Sequence, residues 1–193
     1  MLAAVILSGG SSSRMGSPKA LLTYQGKAFL DHLLEITIHP KIGVRRVVLG
    51  AHAEPIARAI ELAGDEIVIN HEWEKGQLSS ILAALRSLPA GTDGMLLFLI
   101  DHPLISGNLV DGVIEDFYSS QAPIVLPTYQ GRRGHPVLFS SRLYRELESA
   151  PMETGARAVV WAHASDVREF QTIEEGCVLN LNDAETFARF TNR

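Results

Sequence analysis

Short apolar runs alternate with longer helix-patterned stretches along the chain, and polar loops follow several of the runs. LAAVIL (2–7), RRVVLGA (45–51), DEIVIN (65–70), GMLLFLID (94–101) and 123–127 read as strands. An extended piece at 136–140 and late strands VREFQT (167–172) and CVLN (177–180) follow. Between them, 27–38, 54–64, 77–88, 107–118 and 154–163 carry apolar residues at helical spacing, with Pro55 in a first turn and Gly64 as a stop. A last helix is expected from Asp183. This β–α alternation implies an α/β fold, a mostly parallel Rossmann-like sheet with helices on both faces in three layers. In open sheets of this kind ligands sit beyond the carboxyl ends of the strands. The polar segments SGGSSSR, NHEWEKGQ, DHP and NLND all follow predicted strands, so they converge on one expected site.

At 193 residues the chain is expected to form one domain over 1–193, long enough to bury a core without cross-links. A formal net charge of −5 argues against a non-specific nucleic-acid binder but leaves room for a local basic pocket. Cys177 is the only cysteine, which excludes an intrachain disulfide and a cysteine zinc framework. The opening MLAAVILSGG is too short to span a bilayer, and no other run approaches that length. A cytoplasmic protein without membrane contact is expected.

Leu7 to Lys19 is the most informative stretch. Gly9 and Gly10 directly follow the first strand, and glycine allows a ligand to approach the backbone N–H groups closely. Exposed amides after a strand form a cradle for anions. Arg14 adds a planar fork of donors suited to phosphate, and Lys19 a point charge. Neither Gly-x-x-x-x-Gly-Lys-[Ser/Thr] nor Gly-x-Gly-x-x-Gly is present. The alternative is an ordinary Gly/Ser turn.

Asp101 closes the most apolar run. A carboxylate at a buried strand end is costly unless it is paired or bound to a cation, and its hard oxygens suit Mg²⁺. A turn or cap aspartate before Pro103 is the competing reading. Ser79 and Ser80 either reach a bound base or are first-turn hydroxyls. His135, behind the GRRG tip with Arg133, either helps to grip an anionic second substrate or sits in a solvated loop. Trp73 either covers the pocket or packs. His102 reads as a packing or hydrogen-bonding residue. His32, His39, His52 and His163 show no ligand spacing.

The segment LSGGSSSRMGSPKAL (7–21) resembles the opening loop of the MobA/MocA-like nucleotidyltransferases, with Arg14, Met15, Gly16 and Lys19 at the family's offsets and Ser8 in place of its usual alanine. NHEWEKGQLSSILAAL, FLIDHPLIS, PTYQGRRGHPVLFS and METGARAVV are similar to further segments of that family, so the likeness spans nearly the whole chain. The resemblance implies a fold of the nucleotide-diphospho-sugar transferase type and a Mg²⁺-dependent transfer of a nucleoside monophosphate, with pyrophosphate released. It implies that Leu7, Ser8, Gly9, Gly10, Ser11, Arg14, Lys19, Asn70, Ser79 and Ser80 bind the nucleotide, and that Arg14, Lys19 and Asp101 carry catalysis. Asp101 and Asn182 would hold the metal, and Arg133 and His135 the acceptor. The acceptor it implies is molybdopterin, with a molybdoenzyme or maturation chaperone as a further partner.

The base is ambiguous. The GRRGHP element and the METGAR helix start are similar to the cytidylyltransferase branch, with Glu153 where that branch has aspartate. Asn180-Leu181-Asn182 and Gly9 resemble the guanylyltransferase branch, so CTP and GTP both stand. Asparagine at 182 is a weaker metal ligand than the acid of the cytidylyltransferases, and Asp183 reads as a helix cap. Two rival classes remain: a nucleotidyltransferase for sugar phosphates or other small molecules, and a non-catalytic chaperone that binds nucleotide or cofactor.

Overall fold

A computed structural model describes residues 1–11, 17–60 and 62–182. Its strands and helices run in the order β1 (Leu2–Ser8), β2 (Thr23–Tyr24), β3 (Lys27–Ala28), α1 (Phe29–Ile36), β4 (Ile42–Leu49), α2 (Ala53–Ala59), β5 (Ile67–Ile69) and α3 (Gln77–Ser87). They continue with β6 (Gly94–Leu99), α4 (Gly107–Ser120), β7 (Ile124–Tyr129), β8 (Arg132–Arg133), β9 (Val137–Ser140), α5 (Tyr144–Ser149), α6 (Arg157–Ala162) and β10 (Val167–Gln171). The main sheet has the order β10-β7-β9-β6-β1-β4-β5, with β8 appended to β7, and β2 and β3 form a separate hairpin.

β1 lies at the centre. It pairs in parallel with β4 on one side and β6 on the other, and every one of its residues is buried. An unbroken Leu/Ala/Val/Ile run is what a strand covered on both faces requires. Alternate side chains then feed two cores. Ala4, Ile6, Leu96 and Phe98 pack with Leu30 and Leu33 of α1, Ile56 of α2 and Val110 and Val113 of α4. Val5, Leu7, Met95 and Leu97 pack with Leu78 and Ile81 of α3, Leu147 of α5 and Val159 of α6. Three layers result, as the alternation predicts. The parallel pairings β1–β4, β1–β6, β4–β5 and β7–β10 dominate, while β9 is inserted antiparallel between β6 and β7.

Three expectations need correction. The helix predicted over 54–64 ends at Ala59, because Ile60 turns to extended backbone and buries its side chain. Gly64 therefore lies in the link to β5 and is not the stop. CVLN (177–180) is not a strand. A short 3₁₀ turn at Glu175–Cys177 leads into an irregular segment tied by His135 N–H to Cys177 O at 2.8 Å and by Leu181 N–H to Asp101 O at 2.8 Å. The helix at 154–163 is shorter than expected, Arg157–Ala162. The helix expected from Asp183 lies outside the described residues. Among the described residues no helix is long and apolar enough to cross a membrane.

Candidate active site

The carboxyl ends of β1 and β6 and the start of α3 enclose a cleft of about 390 Å³. Its wall includes Leu7, Ser8, Gly9, Gly10 and Ser11 from the end of β1 and the loop after it, Lys19, and Asp101 just beyond β6. Trp73, Glu74, Gly76, Gln77 and Ser80 supply the opposite wall. Five predicted nucleotide-binding residues of the glycine loop, Ser80 and the predicted pair Lys19 and Asp101 therefore share one cleft. Arg14 lies outside the described residues.

Lys19 and Asp101 face each other, Lys19 Nζ lying 3.6 Å from Asp101 Oδ2, and only about 17% of each side chain is exposed. Lys19 Nζ also donates to Asn182 Oδ1. Asn182 and Asp101 thus both approach Lys19 Nζ. Asp101 does not cap a helix. The cap of α4 is Ser106, whose Oγ accepts from Leu109 N–H at 3.1 Å. Asp101 Oδ1 is buried and has no hydrogen-bond partner among the described residues, and Asn180 Oδ1 is in the same condition. A buried carboxylate oxygen without a donor suits a hard cation. Among the described residues no group of three or more His, Cys, Asp or Glu side chains forms a complete cage. The residues present therefore fit a cation of the Mg²⁺ kind, which binds through one or two carboxylates and takes its other ligands from phosphate and water.

The glycine loop is held from below by close approach. A Cβ on Gly9 would come within 2.9 Å of Ser80 Oγ, and one on Gly50 would collide with Gly9 O. Ala51 N–H donates to Gly9 O at 3.2 Å, and His52 Nε2–H donates to Ser11 O at 2.7 Å. The loop's backbone can thus lie flat against α3 and the end of β4. His52 is a loop-clamping residue that sequence spacing does not single out, since only the folded contact reveals it.

Asn70, Ser79 and Ser80, expected at the nucleotide, lie together but in different relations to the cleft. Asn70 Nδ2 donates to Ser79 Oγ at 2.8 Å and Ser80 Oγ at 3.0 Å, while its Oδ1 accepts Glu72 N–H at 2.9 Å. Ser79 Oγ–H is within reach of Glu72 O at 2.9 Å and Gly76 O at 2.8 Å. All three residues are buried, and of the three only Ser80 lines the cleft. Gly76 enters α3 at φ +98°, a left-handed conformation that glycine adopts without strain. Trp73 lines the wall. Glu74 and Gln77 also line it, and the polar run after β5 is the only signal of them in the sequence.

The residues expected at the acceptor separate. Arg133 is paired with Glu169 at 2.8 Å on the exposed face of β8 and β10 and does not line the cleft. His135 lies against His102, ring centroids 5.0 Å apart, and His102 Nε2 is 3.8 Å from Asp101 Oδ1. His135 thus stands behind the aspartate rather than at the mouth. Burial, reinforced by the neighbouring His102, pushes the His135 imidazole down to about 4. Burial also lowers His102, against the raising effect of Asp101. Both rings are therefore neutral at pH 7.

Comparison with known proteins fits this geometry. A family model described as the MobA-like NTP transferase domain matches residues 4–167. The nicotine blue oxidoreductase of Paenarthrobacter nicotinovorans is 32% identical over 166 residues, covering 79% of this chain and 78% of that protein. The probable molybdenum cofactor guanylyltransferase of Bacillus anthracis is 29% identical over 133 residues, 68% of this chain and 64% of its own length. Among solved structures, Rv0371c from Mycobacterium tuberculosis superposes over 100% of this chain and 99% of that one, with a TM-score of 0.83 and 25% identity. A structure of the same protein in complex with manganese superposes at a TM-score of 0.74 and 22% identity, over 99% and 98% of the two chains. The family model covers the glycine loop, the cleft wall and Asp101 alike, and on that ground the chain belongs to the MobA-like NTP transferases.

Proposed function

We propose that this protein is a divalent-metal-dependent nucleotidyltransferase that moves a nucleoside monophosphate from CTP or GTP to a phosphate acceptor, molybdopterin, and releases pyrophosphate. An acceptor phosphate oxygen attacks the α-phosphorus in line. The new bond is acceptor O–Pα, the bond from Pα to the bridging oxygen breaks, and its electron pair leaves on pyrophosphate. The protein contributes positioning and charge neutralisation rather than covalent chemistry.

The observation that carries this reading is the Lys19–Asp101 pair at 3.6 Å in the floor of a cleft walled by the Gly9–Gly10 backbone. Lys19 Nζ would neutralise charge growing at the α-phosphate. Arg14 would do so for the β- and γ-phosphates. The amides of the glycine loop would seat the phosphates and meet the base edge. Asp101, with the Asn182 carbonyl, would hold a divalent cation. Such a cation would supply Lewis-acid withdrawal of charge from the phosphates. The guanylyltransferase name of one relative and the manganese complex of another structure are stated of those proteins, and both support the reading.

The test is pyrophosphate release from each of the four nucleoside triphosphates with Mg²⁺, with and without molybdopterin. Release with CTP or GTP that requires molybdopterin is expected. Turnover with sugar phosphates alone would select the sugar-nucleotide class, and tight nucleotide binding without release would select a chaperone. The relative at 32% identity carries an oxidoreductase's name; a redox reaction here would consume substrate without releasing pyrophosphate, so the same assay separates it.

A further inference from the structure

We propose that Asn70 is a positioning residue that fixes Ser80 as a hydrogen-bond donor toward the bound base, so that the site favours a base presenting a ring carbonyl there. This rests on the nucleotide-binding reading of the cleft and adds the basis of its base selectivity.

One small network fixes the polarity of each group in it. Glu72 N–H is a backbone donor and cannot change role. It donates to Asn70 Oδ1 at 2.9 Å, which fixes the amide's orientation: a reversed amide would set two donors against each other. The Asn70 NH₂ group must then face the two serines, and it donates to both, at 2.8 and 3.0 Å. Both of its hydrogens are used. Ser79 turns its own hydrogen to the backbone carbonyls of Glu72 and Gly76. Ser80 Oγ accepts from Asn70, and among the described residues no acceptor takes its hydroxyl hydrogen. Ser80 is only 5% exposed, and that exposure is to the cleft. Its hydrogen is therefore left for a ligand. Gly9 has no side chain to intervene, since a Cβ there would sit 2.9 Å from Ser80 Oγ.

A donor of fixed polarity discriminates by chemistry. Cytosine carries a ring carbonyl at O2 and guanine at O6. Adenine carries none, and its exocyclic group is a donor. A buried donor faced with another donor loses its bond and remains desolvated, which is the more costly error. Asn70 thus acts through Ser80 without touching the ligand, and that polarity admits both candidate bases, as it would uracil, and disfavours adenine.

Equilibrium dialysis of CTP, GTP and ATP with Mg²⁺ against the wild-type chain, Asn70→Asp and Ser80→Ala tests this. Wild type is expected to bind ATP most weakly. In Asn70→Asp, the introduced carboxylate keeps one oxygen for Glu72 N–H and accepts the Ser80 hydrogen with the other. Ser80 then shows lone pairs to the cleft, and the gap between ATP and the preferred nucleotide should narrow roughly tenfold or more. Ser80→Ala, which disturbs the loop least, should weaken CTP and GTP roughly tenfold and leave ATP almost unchanged. An Asn70→Asp protein with the wild-type ratio of affinities, a Ser80→Ala protein weakened equally for all three, or a wild type that binds ATP as well as the best would overturn the proposal. A wild type that binds none of the three would overturn the nucleotide-binding reading itself, and this proposal with it.

Discussion

Lys19 and Asp101 meet at 3.6 Å although one comes after the central strand and the other after its neighbour. Both β1 and β6 end at the same edge of the sheet, Leu7 pairing with Leu99, so the segments beyond them are forced together. The lysine approaches one carboxylate oxygen and leaves the other buried without a hydrogen bond among the described residues, with His102 Nε2 3.8 Å away.

Replacing Lys19 by alanine removes a cation that lines the cleft without opening a core. Pyrophosphate release is expected to fall by roughly a hundredfold or more, the scale of a lost electrostatic stabiliser. The thermal unfolding midpoint should stay close to wild type, and scanning calorimetry beside the turnover assay checks both halves.

Asp101→Asn should separate activity from stability. The substitution keeps the shape, removes a charge, and relieves the penalty on the buried Oδ1. Activity and its dependence on added divalent cation should disappear, while the unfolding midpoint is unchanged or higher. Chelating divalent ions from the wild type should reproduce the loss of activity. A variant that unfolds several degrees earlier would mean that the carboxylate serves the fold.

Gly9→Ala puts a methyl carbon 2.9 Å from Ser80 Oγ. Nucleotide affinity and stability should both decline. Adding Ser80→Gly removes the opposing hydroxyl, so the double variant should recover stability relative to the sum of the single effects. The non-additivity in a double-mutant cycle, of order 0.5–3 kcal/mol for residues in contact, is the measurement.

His135 links stability to pH. Its folded value of about 4 lies below the ordinary 6.5, with burial the main cause and His102 next, partly offset by the backbone at Leu97 and by Asp101, while Arg157 adds to the lowering. A histidine depressed in the folded state binds fewer protons than in the unfolded state between those values. Its contribution is present above about pH 6.5 and is lost progressively as pH falls toward 4. His102, lowered in the same direction, adds to the effect. Denaturant midpoints should drop across that window, and His135→Asn should flatten the drop.

The sheet was legible because β1 and β6 are covered on both faces and so are apolar without interruption. The same cue misled at Cys177–Asn180, where a short apolar run serves a segment that crosses to His135 and Asp101 instead of pairing. Periodicity cannot distinguish the two. α5 escaped notice because it is six residues long and buries only Leu147, and the two-residue strands carry no pattern at all. Within the site, Gly9, Gly10, Lys19 and Asp101 could be read from their places beyond buried strands. The roles of Asn70 and His52 could not, because they depend on how α3 and the end of β4 approach the glycine loop.

Whether this cleft transfers a nucleotidyl group is read most directly from pyrophosphate release by wild type and Lys19→Ala with CTP, GTP, ATP and UTP in Mg²⁺ and molybdopterin. Release by the wild type with CTP or GTP and near-abolition in the variant are expected of nucleotidyl transfer. Release that is absent with every triphosphate, or that proceeds equally well without Lys19, would contradict it.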